Sequence, residues 1–273
     1  MKIVSFNINS VRMRIHQLAK LTEDEAPDII GLQETKVQDH DFPLEALAEL
    51  GYKAIYIGQK THYGVALLYK DTVTLTAHQM GWTTDTEEDQ KRMVIGDFED
   101  KNGNKIRVLN GYFPQGENRK HETKFPAKKK FYQDLMAYLN NECSAEDNVV
   151  VMGDFNISPE DKDIGIGESN AKRWLRDGKT SFLPEEREWW ATLINWGLQD
   201  SFRTVHPDTT NCFSWFDYRS KAFNAEPKRG LRIDTLLVTN SLNKKVIDSG
   251  ICYSIRAMEK PSDHAPVWTS FNL

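Results

Sequence analysis

Asn148-Val149-Val150-Val151-Met152-Gly153-Asp154-Phe155-Asn156 is a short apolar run that ends on an acid and an amide. Its length and β-branched content make it a strand candidate. In extended chain Asp154 and Asn156 fall on the same side, because side chains alternate, and Gly153 permits close backbone approach. The pattern recurs along the sequence. Ile3-Val4-Ser5-Phe6 runs into Asn7 and Asn9, and Asp28-Ile29-Ile30-Gly31-Leu32 runs into Gln33-Glu34-Thr35. Pro261-Ser262-Asp263-His264 stands directly before the apolar Ala265-Pro266-Val267-Trp268. Polar residues at the ends of buried strands converge at one rim of a sheet, where a hard divalent cation and a phosphate would be held.

Working outward, further strand candidates fall at 2–8, 28–33, 52–58, 64–69, 93–98, 105–113, 148–153, 213–216, 232–239, 247–255 and 265–271. Helical periodicity marks 11–23 and 43–50. It is clearest from Pro126 to Cys143, where Phe131, Leu135, Tyr138 and Leu139 share a face. Another helix is expected over 184–196, opened by Pro184-Glu185-Glu186 and followed by Gly197. Many strands with few helices predict an α/β domain with two packed sheets and helices outside. A plain doubly wound sheet fits less well, since 52–69 and 93–113 read as consecutive hairpins. One domain spanning 1–273 is expected.

The chain has 273 residues, enough to bury a core without disulfide staples. Cys143, Cys212 and Cys252 are scattered, with no CxxC and no zinc-finger spacing. This points to a reducing compartment and away from structural zinc. The N-terminus lacks an apolar signal segment, no apolar run is long enough to span a membrane, and the mean hydropathy is -0.59. A cytoplasmic protein is expected. The net charge of -5 decides nothing about nucleic acid, because a carboxylate-lined metal site is itself anionic. The basic residues are clustered at Lys124 with Lys128-Lys129-Lys130, Arg173 with Arg176 and Lys179, and Lys228-Arg229 with Arg232. Each cluster is read either as a phosphate-facing patch or as a solvated face.

Glu34, directly after an apolar run, calls for a cation or a paired partner; Mg²⁺ needs only one or two such carboxylates. Asp154 with Asn156 is suited to orienting or deprotonating water and holding a phosphoryl oxygen, although an Asx-turn explains the pair equally well. Asp263-His264 adds a carboxylate and an imidazole, which need a kink at Pro261 or Pro266 to face one site. Asp234, an acid inside the apolar run Leu231–Val238, is the natural partner to orient His264 and favour its protonated form. Tyr112 and Trp215-Phe216 complete the set, as a phosphate donor and a base-stacking pair or simply as core aromatics.

Jointly these residues have a precedent. Ser5-Phe6-Asn7-Ile8-Asn9, Gly31-Leu32-Gln33-Glu34-Thr35-Lys36, Asn110-Gly111-Tyr112-Phe113-Pro114-Gln115-Gly116 and Met152-Gly153-Asp154-Phe155-Asn156-Ile157 come first. Ser214-Trp215-Phe216-Asp217-Tyr218-Arg219, Gly230-Leu231-Arg232-Ile233-Asp234 and Lys260-Pro261-Ser262-Asp263-His264-Ala265-Pro266 follow in order. With these blocks the whole chain resembles the exonuclease III family of DNA-repair nucleases, within the endonuclease/exonuclease/phosphatase superfamily. The resemblance implies a four-layer α/β sandwich, two central β-sheets flanked by helices, with the site at one edge between them. It implies metal-site residues at Asn7, Glu34, Asp154, Asn156 and Asp263, and a catalytic set of Tyr112, Asp154, Asn156, Asp234 and His264. It also implies that Arg92, Trp215, Phe216 and Leu231 meet DNA around an abasic site. Phe223-Asn224-Ala225-Glu226-Pro227-Lys228 is longer and more proline-interrupted than the resemblance leads one to expect, which bears on substrate preference.

The implied activity is hydrolysis of DNA phosphodiesters with Mg²⁺ or Mn²⁺, by a water that Asp154 activates. The substrates would be double-stranded DNA with abasic sites or 3' ends: incision 5' to the lesion, 3'-to-5' exonuclease, and cleaning of blocked 3' ends. A monomer is the simplest expectation. An alternative is a small or lipid phosphoester hydrolase on the same scaffold, and a less favoured one is a DNA-binding scaffold without catalysis. The aromatic stretch and basic clusters favour DNA, and every candidate ligand is present.

Overall fold

The computed structural model describes residues 1–273. Twelve strands form two six-stranded sheets. The first uses β1 (Lys2–Asn7), β2 (Ile29–Gln33), β3 (Lys53–Ile57), β4 (Val65–Tyr69), β11 (Val246–Ile251) and β12 (Val267–Phe271), in the order β11-β12-β1-β2-β4-β3. The second uses β5 (Val73–Met80), β6 (Met93–Asp100), β7 (Lys105–Tyr112), β8 (Val149–Asp154), β9 (Leu198–Asp200) and β10 (Asp234–Thr239), in the order β5-β6-β7-β8-β10-β9. Each sheet has one parallel pair, β1 with β2 and β7 with β8; the other pairings are antiparallel. A helix crosses over each parallel pair, α1 (Ile15–Glu25) in one sheet and α3 (Lys124–Glu142) in the other, as parallel neighbours require.

Period-2 alternation explains the layering. Ile3 and Ile29 join Val150, Met152 and Val108 in a core between the sheets. Their neighbours Val4 and Ile30 face outward onto Leu18 and Leu21 of α1 and Leu47 of α2 (Leu44–Glu49). Val149 and Val151 face the other way, onto Phe131, Leu135 and Leu139 of α3 and Trp190 and Leu193 of α5 (Pro184–Trp196). Each such buried aliphatic side chain contributes roughly 1.5–3 kcal/mol. Helices therefore lie on both outer faces, giving the expected four layers.

Toward one rim the space between the sheets turns polar. Gln33 Nε2 donates to Ser5 Oγ (3.1 Å) and to Asn110 Oδ1, and Asn110 Nδ2 donates across to the carbonyls of Leu32 (3.0 Å) and Ala66 (2.9 Å). The sheets approach closely here because residue 31 is glycine. A Cβ on it would stand 2.4 Å from the Met152 methyl and 2.6 Å from Asn110 Oδ1.

Three expectations are corrected. The stretch 213–216 is a loop, tied by isolated bridges of Trp215 to Leu231 and His264. The strand expected over 247–255 stops at Ile251 and gives way to α8 (Tyr253–Arg256). Residues 232–233 precede β10 rather than belonging to it, because Arg232 is drawn into an ionic cluster with Asp163 and Asp200. The remaining helices are α4 (Glu168–Asp177), α6 (Ser201–Val205) and α7 (Asn240–Asn243). No helix is long and apolar enough to cross a membrane.

Candidate active site

The polar rim is built where β1, β2, β7, β8 and β10 end or begin. Several strands exit through left-handed turns: Asn9, Ser10, Glu34, Lys36 and Asn156 all have positive φ without being glycine. Such conformations cost about 1–3 kcal/mol each and cluster at functional sites.

Asn7, fully buried at the end of β1, is the hub. Its Nδ2 donates to Glu34 Oε1 and to Asp154 Oδ2, both at 2.9 Å. One amide thus holds together carboxylates from the two sheets. Burial works against ionising Glu34, but Lys36 at 2.8 Å and the Asn7 amide hold its carboxyl below the ordinary value. Asp154 has no lysine or arginine beside it, only the His264 ring 3.9 Å away. Burial first, with Asp234 and Glu34 adding to it, pushes its carboxyl up to about 7 against the pull of His264.

His264 Nδ1 lies 2.8 and 3.1 Å from the two oxygens of Asp234, and Nε2 lies 3.9 Å from Asp154 Oδ2. Burial alone would expel the ring's charge. Asp234 and then Asp154 outweigh it and raise the imidazolium to about 10. At neutral pH the ring is a double donor. The chain bends at Asp263 itself, rather than at either flanking proline, so that Asp263 and His264 both line the same cavity. Ser262 Oγ fixes the bend by donating to the Asn7 carbonyl (2.6 Å) and accepting from the His264 amide (3.2 Å).

The cavity holds about 170 Å³ and is lined by Glu34, Tyr112, Asp154, Asn156, Asp263 and His264 together with Trp174, Trp215, Leu231 and Ile233. Asn156 is oriented twice over: its amide N–H donates to Asp154 Oδ1 (3.0 Å) and its Nδ2 to the Phe113 carbonyl (3.0 Å). Tyr112 is held protonated, because burial and then the nearby Glu34 and Asp154 push its hydroxyl well above the usual value. It remains a donor.

The donor set suits a hard divalent cation. Glu34, Asp154 and His264 each bring a polar atom within 4.8 Å of the others. A protonated imidazole has no free lone pair, which leaves carboxylate and amide oxygens, the ligands Mg²⁺ prefers. Asp263 lies outside this group. Its two oxygens accept from Asn9 Nδ2 (2.9 Å) and Trp215 Nε1 (3.1 Å), and its carboxyl stays low despite burial because of His264 and these donors.

Of the four residues expected to meet DNA, Trp215 and Leu231 line the cavity. Phe216 does not reach the surface; it is fully buried against Phe213, Ala222, Phe223 and Tyr253, behind Trp215. Its role is corrected to packing. Arg92 is largely spent on the protein: its guanidinium lies against the rings of Tyr63 (4.3 Å) and Tyr112 (4.6 Å) and donates to the Tyr112 carbonyl. The sequence reading missed Lys36, Trp174, Gln115 and Ser262. Lys36 carries the clearest signal, a lysine two residues after Glu34 that also reaches Asn9 Oδ1 (2.6 Å). The basic cluster at 124–130 is not one surface, since Lys128 is turned fully inward.

Two helix-covered sheets that share an acid-rich cavity at one rim are the build of a phosphoesterase. Residues 4–264 match the endonuclease/exonuclease/phosphatase family, and the chain belongs to that family, in its exonuclease III group. It is 55% identical to exodeoxyribonuclease III of Haemophilus influenzae, across 99% of this chain and all of that protein. Among solved structures it is similar to a 3' phosphatase from Neisseria bound to a product DNA hairpin (33% identity, TM-score 0.88) and to an AP endonuclease from Archaeoglobus fulgidus (29% identity, TM-score 0.88). Both matches cover the whole of each chain.

Proposed function

We infer that this protein is a divalent-metal-dependent DNA-repair nuclease. It incises double-stranded DNA 5' to abasic sites, degrades it 3' to 5', and clears blocked 3' ends. The observation that carries the reading is the pairing of a metal-suited carboxylate cluster with an aromatic and aliphatic wall. Glu34 and Asp154 share one cavity of about 170 Å³ with Trp215, Leu231 and Trp174. The relatives' names, an exodeoxyribonuclease, a DNA-bound 3' phosphatase and an AP endonuclease, support DNA as the substrate. A small or lipid phosphoester as substrate has no observation of its own in its favour.

Glu34 and Asp154 would hold Mg²⁺ or Mn²⁺, with Asn156 and Asp263 flanking, and Asn7 would join as a ligand once its amide turns its oxygen toward the cation in place of the Nδ2 donor it presents here. Bound there, the cation supplies Lewis-acid stabilisation of phosphoryl and leaving oxygens. Asp154, aimed into the cavity by the Asn7 amide, is placed to orient the attacking water and take its proton. Asn156, locked by its two hydrogen bonds, holds that water or a phosphoryl oxygen. His264, charged and aimed by Asp234, and the Tyr112 hydroxyl donate to the non-bridging oxygens as charge grows on them. We propose further that residues 1–273 form one domain and act as a monomer in the cytoplasm.

The test is a labelled duplex with one central abasic analogue, incubated with Mg²⁺ or with EDTA. Metal-dependent cutting immediately 5' of the lesion is the expected result. A folded protein that leaves the duplex intact with every divalent ion, yet hydrolyses a small phosphoester, would overturn the reading.

A further inference from the structure

Lys128 is a lysine of α3 whose side chain is wholly out of solvent, as is that of its partner Glu186 on α5. The mechanism above uses neither. An ammonium has three protons to place, and Lys128 Nζ has three acceptors from three separate segments. They are the Glu186 carboxylate, the Asn156 carbonyl (2.9 Å) and, more loosely, the Gln115 carbonyl (3.4 Å). The second Glu186 oxygen accepts the amides of Ser181 and Leu183, both at 2.8 Å. Gln115, Asn156 and Ser181 all line the cavity. The pair therefore grips the backbone of three wall segments from behind.

A buried ion pair is not in itself a good source of stability, since apolar residues of the same volume often serve as well or better. What it supplies is direction. Asn156 sits in a left-handed turn with φ +54°, and its peptide carbonyl has the Lys128 ammonium as its buried partner. Fixing that carbonyl fixes the plane from which the Asn156 side chain projects. Ser158 N–H, donating to the Ser181 carbonyl at 2.6 Å, ties the same turn to the segment that Glu186 holds.

We propose that Lys128, together with Glu186, is a positioning residue for the hydrolytic reaction. The buried pair sets the Asp154–Asn156 turn and its neighbouring wall segments, and governs turnover rather than substrate binding. The proposal rests on the nuclease reading and deepens it.

The decisive protein is the double variant Lys128→Met/Glu186→Gln, which removes both charges while the glutamine oxygen still accepts the Ser181 and Leu183 amides. Its melting temperature should stay near that of the parent. Its kcat on the abasic duplex should fall about tenfold to a hundredfold, the cost of a small misplacement of a reacting group, with KM within about twofold. Amide hydrogen exchange at Asn156 and Ser158, measured without metal or DNA, should accelerate at least about tenfold against an unchanged global core.

Parent-like kcat at parent-like stability would make the pair purely structural and sink the proposal. So would a rise in KM at constant kcat, or unchanged exchange at Asn156. If the double variant does not fold, Lys128→Met alone, in which Glu186 keeps the Ser181 and Leu183 amides as donors, carries the same readouts. If the parent protein proves inactive on DNA, the nuclease reading fails, and the exchange measurement still decides whether the pair holds the turn.

Discussion

Replacing Asp234 by asparagine keeps the shape of the cavity and removes one charge. In the parent, His264 is a buried imidazolium raised to about 10, chiefly by Asp234 overcoming burial. In the variant the ring keeps Asp154, 3.9 Å from Nε2, as its charged neighbour, and burial then pulls its pKa down toward or below neutrality. Taking one partner from a buried ion pair costs on the order of 3–5 kcal/mol. The pH dependence follows from the direction of the shift. A group whose folded pKa exceeds its unfolded value of 6.5 contributes fully below that value, and the contribution drains away as pH rises toward the folded value near 10. Chemical denaturation of parent and variant should therefore differ most near pH 6 and converge as pH climbs toward 10. The imidazole resonances should titrate about two or more pH units lower in the variant. Incision should slow by roughly 10²–10⁴-fold, with the alkaline limb of the rate profile moved to lower pH. A His264 midpoint left in the alkaline range, or a stability difference that is flat with pH, would refute the account of Asp234.

Other perturbations reach the rest of the frame. Asp163 accepts from Arg232 Nε (2.7 Å) and from Arg203, and these guanidinium groups hold its carboxyl below the ordinary value although burial opposes them. Asp163→Ala should cost about 3–5 kcal/mol at pH 7 by denaturation. Because the folded pKa is depressed, that difference should be present above the ordinary carboxylate range and fade as acid protonates the parent. Gly153→Ala would put a Cβ 1.8 Å from the Gly111 carbonyl oxygen, at φ +143°. Overpacking and backbone strain together should destabilise by about 3 kcal/mol or more, and incision should be lost because Tyr112 and Asp154 face each other across that seam. Mg²⁺ should raise the melting temperature of the parent, by about 2.7 kcal/mol of stability at a hundred times Kd. Glu34→Gln should flatten that response and EDTA should abolish it.

Most of the residues gathered at the candidate site were legible because they interrupt strong patterns. Glu34, Asp154, Asn156 and Asp234 are polar where a period-2 apolar run stops or starts, and hydrophobic burial forces such runs into sheets. The misses have equally local causes. β5 is an edge strand with half of its residues exposed and only Val73 buried, and β9 has three residues, so neither makes an apolar run. α4 has no buried residue, yet it carries Trp174 to the cavity, which only tertiary placement discloses. Phe213–Phe216 is as aromatic as a strand, but its rings pack as a plug under the loop after Trp215. Lys128 looked like one cation among neighbours; that it points inward depends on Glu186, which lies on a different helix.

The division of the cavity between the sheets has a consequence for safety in the cell. Asn7, Glu34 and His264 come from the first sheet or its flanks, and Tyr112, Asp154 and Asp234 from the second. On the assignment proposed above, neither half alone holds a complete hydrolytic apparatus. On that assignment, a chain whose secondary structure has formed does not cut DNA until the two halves dock, with Gln33 Nε2 on Asn110 Oδ1. Cutting activity thus serves as its own certificate of correct assembly, and in a refolding experiment it should appear after the circular dichroism signal is already native.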